Sequence, residues 1–233
     1  MDFWDEIVNK NYKRLKKLWN DRTNFNFLLA VLSLYIFIII PVFKGKISGE
    51  VLFFIFYYLL LSGGIPFLVR NRRLGILLLL VITPFVLLFS EFFFQSFWLK
   101  VCADFFIIIY CISLATIILI RTFAKGHVTV HRVLGAITVY LLLSFIFAMI
   151  FHTIYLVNGI STFKGLMSGQ RSEFMYFSLS TLTTVAYGDI TPVNVIARSI
   201  SNLESLSGQL YISVLIAGLV SLGMKDSNKK ISV

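Results

Sequence analysis

The chain has 233 residues, of which 58% are hydrophobic and 14% charged, with a mean hydropathy of +0.87. Soluble domains carry about 25% charged residues, so composition sets aside a water-soluble globule. The apolar content excludes disorder, Gly 14 and Pro 4 exclude a collagenous chain, and Cys 2 excludes a disulfide scaffold. A net charge of +10 raises nucleic acid as a partner. The basic residues, however, lie in short clusters between long apolar runs, as cytoplasmic loops do. What remains is an integral membrane protein.

The first segment, 1–24, is polar and basic. Within it Trp4, Ile7, Val8, Leu15, Leu18 and Trp19 recur near helical spacing. A helix lying on the inner leaflet is expected there, with a solvated basic tail as the alternative. It is not a secretory signal, because the apolar run behind it exceeds a signal h-region and no small-residue cleavage site follows. A transmembrane helix needs about 20 apolar residues. Runs 25–43, 51–69, 74–89, 101–120 and 133–157 qualify, and a less uniform sixth runs over 197–224 with Arg198, Asn202 and Glu204 in its first turns. The third is short, and Phe92, Phe93 and Phe94 could extend it past Glu91. Pro41, the Gly63-Gly64-Ile65-Pro66 run and Pro84 are expected to kink their spans.

Lys and Arg placement gives the orientation. With the N-terminus cytoplasmic, the inner side holds Lys10, Lys13, Arg14, Lys16, Lys17, Arg22, Arg70, Arg72, Arg73, Arg121, Lys125, Arg132, Lys225, Lys229 and Lys230. The outer side holds Lys44, Lys46, Lys100, Lys164, Arg171 and Arg198. The short connections let the positive-inside rule apply, so a multi-pass cell-membrane protein with both termini cytoplasmic is expected. The division is 1–24 basic segment, 25–121 four-helix transmembrane domain, 122–224 last two spans with the segment between them, and 225–233 short cytoplasmic tail. No cytosolic ligand-binding domain is expected in so short a tail.

Between the last two spans, 172–183 reads SEFMYFSLSTLT, opening with Ser172 and Glu173 as an N-cap pair. Its helix would be about 18 Å long, too short for a ~30 Å hydrocarbon core. It should enter the membrane and stop midway. Thr184-Val185-Ala186-Tyr187-Gly188-Asp189 follows. Non-helical backbone at that depth is tolerated only inside protein or beside a water-filled cavity.

At these residues the sequence resembles the potassium-channel pore family, whose filter signature is T-V-G-Y-G-D behind T-x-T and a short pore helix. Five of the six signature positions match, and the resemblance covers 133–224 in the order outer helix, pore helix, filter and inner helix. It implies that backbone carbonyls of Thr184, Val185, Ala186 and Tyr187 ring a bare potassium ion in place of its hydration shell. The Thr184 hydroxyl closes the inner end, and Gly188 completes the filter. Successive carbonyls must point one way, which needs alternating backbone hands and explains glycine at two family positions. Ala186 departs from this pattern. A left-handed alanine costs about 1–2 kcal/mol, so either the assembly carries that strain or the Val185 carbonyl turns away and a site is lost.

The resemblance further implies that Tyr187 is braced by Tyr176 and Phe177, and that Asp189 attracts cations at the outer mouth. Ser180 stands where many relatives have a carboxylate paired with the aspartate, so the outer clamp is weaker or differently built. Gly208 is a hinge or a close-packing position, with Gly218 and Gly223 read as packing. Gln209, Ile212 and Ser213 are candidates for the cavity wall. Glu204 either tunes ion occupancy or makes a structural hydrogen bond to the pore helix or to Ser and Asn neighbours, and Asp104 poses the same choice. His152 is read as a satisfied interior histidine.

A voltage sensor needs spaced basic residues within one span, and 101–120 has neither Lys nor Arg. Weak or absent voltage dependence is expected. Cys102 and Cys111 lie about 13 Å apart along one helix, too far for a disulfide. The expectation is an all-α membrane protein: six transmembrane helices, a re-entrant pore helix and filter, and a pore laid out as in voltage-gated channels. Its function would be passive potassium conduction by a homotetramer in membrane lipid, with potassium ions in the filter and no other cofactor, and without enzymatic activity. The alternatives are a weakly selective cation channel, because of Ala186, a non-conducting scaffold with a degenerate pore, or a secondary transporter, whose two related halves are not found here.

Overall fold

The computed structural model describes residues 21–43, 49–69, 74–91, 93–94, 96–122 and 130–231. The expected helix within 3–19 lies outside these residues. Helices α1 (Asp21–Leu34), α2 (Ile40–Phe43), α3 (Gly49–Val69), α4 (Leu74–Glu91), α5 (Phe97–Thr122), α6 (Val130–Asn158), α7 (Arg171–Leu182) and α8 (Val195–Ile231) follow in order. The six apolar runs of the sequence coincide with α1–α2, α3, α4, α5, α6 and α8. Among the described residues, 97–120 and 132–158 are each long and apolar enough to cross a membrane.

Side-chain chemistry accounts for the details. A π-helical turn, Tyr35–Ile39, joins α1 to α2, with the Ile40 N–H donating to the Tyr35 carbonyl. Pro41 follows directly. Having no N–H, it cannot continue the ordinary ladder, and the widened turn absorbs the mismatch. Pro84 is accommodated inside α4. The suggested extension of α4 through Phe92–Phe94 does not form. The helix ends at Glu91, and the N–H groups of Phe93 and Phe94 both turn back to the Ser90 carbonyl at 3.1 and 2.8 Å. That bifurcated closure ends the ladder whatever the hydrophobicity of the residues beyond it.

Helix α5 buries Ala103, Ile107, Tyr110, Cys111, Leu114 and Ile118, a single face at helical spacing, and leaves Phe105, Ile112 and Ile120 outward. Its partner α6 is buried nearly all round and forms the axis of the chain. Around Phe145 of α6, the rings of Phe53 and Phe56 from α3 stand at 5.9 and 5.3 Å, and Tyr35 stacks on Phe56 at 3.8 Å. Helices α1, α3 and α5 thus reach α6, while α4 packs on α3 and α5.

The only β-structure among the described residues is a two-residue antiparallel pair, β1 (Phe163–Lys164) with β2 (Thr191–Pro192). It ties the loop after α6 to the residues leaving the 184–189 segment. The Thr162 carbonyl adds bonds from the Val193 and Asn194 N–H groups at 2.9 and 3.2 Å. Gly165 has φ of +91°, and a Cβ there would lie 1.8 Å from the Asp189 carbonyl oxygen. Only glycine permits that approach.

Helix α8 crosses the end of α7 just as closely. A Cβ on Gly208 would come within 2.2 Å of the Leu182 carbonyl oxygen. Of the two roles open to Gly208 in the sequence, the geometry supplies close packing, within a helix continuous from Val195 to Ile231.

Two outcomes test this packing. Phe145→Ala should cost about 3 kcal/mol through the cavity it leaves, read as a lower melting midpoint of the purified protein. Gly208→Ala should push α8 off α7 and abolish the monodisperse peak on size exclusion. A normal elution profile and midpoint would show that α8 can move without harm.

Candidate functional site: a pore helix and an alternating-hand segment

The pore helix α7 begins at Arg171, one residue before the expected start. Gln170, not Ser172, occupies the N-cap position, and it supplies no side-chain bond. Glu173, at the third helical position, reaches back past the N-cap. Its carboxylate accepts the N–H groups of Met167, Ser168 and Gly169 at 2.9–3.3 Å. These donors all precede the helix, so the carboxylate ties the incoming loop to the first turn of α7. The other end of α7 is held by α6 and α8: the Tyr140 hydroxyl donates to the Leu182 carbonyl at 3.1 Å, and Ser205 to the Thr181 carbonyl at 3.2 Å.

Beyond α7 the backbone alternates in hand. Thr184 has φ of +60°, Ala186 of +47° and Gly188 of +81°, while Val185 and Tyr187 between them stay out of the left-handed region. Ala186 therefore adopts the conformation that glycine would take at little cost. The segment hangs on the last turn of α7, with the Thr184 N–H bonded to the Thr181 carbonyl at 3.0 Å and the Ala186 N–H to the Ser180 carbonyl at 3.1 Å. Among the described residues, no hydrogen bond ends on the carbonyls of Thr184, Val185, Ala186 or Tyr187. Residues 183–189 are all exposed on the single chain.

Tyr176 stacks against Tyr187, with centroids 6.1 Å apart and planes 7° from parallel, and its hydroxyl donates to Asp189 Oδ2 at 2.8 Å. Phe177, expected beside Tyr187, turns instead to the other side of the helix. It is buried edge-on to Phe151 and Phe163 at 5.0 and 5.4 Å. Consecutive residues on a helix point about 100° apart, so only one of the pair can face the filter within its own chain. Ser180 does not reach Asp189. Its hydroxyl donates to the Phe177 carbonyl at 2.9 Å. The Asp189 carboxylate is held by a tyrosine hydroxyl in place of a second carboxyl.

Glu204 is fully buried and accepts a short hydrogen bond from Ser178 of α7, whose hydroxyl also lies 2.6 Å from the Ser144 carbonyl. Its second oxygen has no partner among the described residues. The structural reading of Glu204 is the one the contacts supply. Gln209 and Ser213 are exposed on α8, on the same face as Asn202, with Leu203, Leu210 and Val214 on the adjoining face.

By charge placement alone Arg171 falls among the outer basic residues. It is buried, and its Nε donates to Asp104 Oδ1 at 2.9 Å. Asp104 was the clue, since a carboxylate within a span demands a partner, yet spacing could not say which. His152 is the interior histidine expected, with Nδ1 2.5 Å from Asp104 Oδ2.

A family model described as an ion channel matches residues 135–225. A stretch of 47 residues is 40% identical to two-pore potassium channel 3 of Arabidopsis thaliana, covering 20% of this chain and 11% of that protein. No solved structure matches. The matched region spans α6, α7, the alternating-hand segment and most of α8, and with its apolar helices the chain is a membrane protein. Residues 135–225 are thus similar to ion-channel domains, and part of the chain is similar to a potassium channel.

Proposed function

We propose that four copies of this chain assemble around an axis as a potassium-selective channel, with Thr184, Val185, Ala186 and Tyr187 each contributing a ring of four carbonyls. The observation that carries this reading is the alternation of hand at Thr184, Ala186 and Gly188 together with the unbonded carbonyls of the segment. Alternation turns successive peptide planes the same way. A potassium ion leaving water then meets oxygens in place of its hydration shell, with no fixed charge to trap it.

In this reading α1–α2, α3, α4, α5, α6 and α8 cross the cell membrane, and both termini are cytoplasmic. Three further copies cover the exposed filter and the apolar face of Leu203, Leu210 and Val214. Asn202, Gln209 and Ser213 line the water-filled cavity below. The C-terminal end of α7 presents its negative dipole there, and Asp189 raises the local cation concentration outside. Conduction is passive, and the protein is no enzyme.

Reversal potential in a planar bilayer, with potassium on one side and sodium on the other, tests the reading. A strong potassium preference is expected. A value near zero would leave a general cation pore, and no flux from liposomes at all would leave a scaffold. Ala186→Gly should raise the melting midpoint, the relief of left-handed strain contributing about 1 kcal/mol per chain. A lowered midpoint would mean that the alanine methyl is itself packed.

A further inference from the structure

The four leading helices carry no row of charges to move in a field, and the channel reading gives them no task. We propose that Asp104, His152 and Arg171 form a positioning cluster through which these helices set the pore helix, and thereby the preference of the filter for potassium over sodium. The inference rests on the channel reading.

Three helices converge on one carboxylate. Asp104 comes from α5, His152 from α6, and Arg171 is the first residue of α7. Oδ1 of Asp104 accepts the Arg171 Nε–H at 2.9 Å, and Oδ2 meets His152 Nδ1 at 2.5 Å and the Thr153 hydroxyl at 3.4 Å. The guanidinium carbon also stands 5.0 Å from the ring centre of Phe53, which brings in α3. Asp104 is 0% exposed, Arg171 2% and His152 3%. Ions so deeply buried tolerate little displacement, because a shift of either helix leaves a charge unpaired.

An apolar trio of similar volume would hold the helices together as well or better. What the ionic cluster adds is direction. It fixes the height and rotation at which α7 starts, and the 12 residues of that helix pass both on to its far end. There the Thr184 and Ala186 N–H groups hang from the last-turn carbonyls of Thr181 and Ser180. A displaced start therefore becomes a displaced carbonyl ring. Functional groups need placement within about 0.5 Å, set by their supporting contacts.

Two variants separate direction from adhesion: Asp104→Asn, and the triple replacement Asp104→Leu with His152→Leu and Arg171→Met. Each is purified, checked for assembly by size exclusion and melting, and measured in the same two-cation bilayer as the wild type. Variants that assemble and conduct should lose about tenfold in potassium-to-sodium permeability ratio, the scale of one charge-assisted hydrogen bond. An unchanged ratio in an assembled variant overturns the proposal. Failure of both to assemble overturns it too, since the cluster would then be a folding element. A wild type without potassium preference refutes the potassium-selective reading on which the proposal rests, an outcome distinct from unchanged variants.

Discussion

A backbone that keeps its carbonyls free cannot use them to hold its own shape. That constraint governs the region from Arg171 to Val195. The segment 184–187 accepts no hydrogen bond among the described residues, so its conformation comes from what its amides and side chains reach. Two N–H groups hang from the end of α7, Tyr187 leans on Tyr176, and the exit is tied down by the short β1–β2 pair. Since α7 stops partway, its first N–H groups and last carbonyls also lack an onward partner. Tyr140 and Ser205 meet the last carbonyls, while Glu173 ties the preceding loop to the first turn.

The same logic explains two carboxylates inside apolar helices. A charge or polar group in that setting must find protein partners. Asp104 finds an arginine and a histidine, with both oxygens engaged. Glu204 finds one serine hydroxyl, itself shared with the Ser144 carbonyl, and one of its oxygens stays unpaired. Both clusters end on α7. The polar atoms of this otherwise oily molecule are concentrated where one short helix needs a fixed position.

Much of this was legible in the chain itself. Apolar runs marked the long helices because burial and helical period leave a pattern in sequence, as the Ala103–Ile118 face of α5 illustrates. The short polar helix and the T-V-A-Y-G-D string marked the site because length and residue type are local properties. What escaped depended on three-dimensional partnership. Arg171 looked like a loop charge, since nothing nearby reveals a partner 67 residues away. The pairing of Phe177 with Phe151 and Phe163 required knowing which way α7 rotates. Phe93 and Phe94 read as helix by hydrophobicity, while the turn that stops α4 is made by backbone closure on Ser90. Ala186 left two conformations open, and local composition could not choose between them.

The alanine in the left-handed position also constrains how this chain can drift over generations. At φ of +47° the backbone lies where glycine is at ease and most side chains are uncommon. Among the single-base steps from an alanine codon, the one to glycine is the change that relaxes this backbone. At position 186 the chain is thus one mutation away from the T-V-G-Y-G-D string that its sequence resembles.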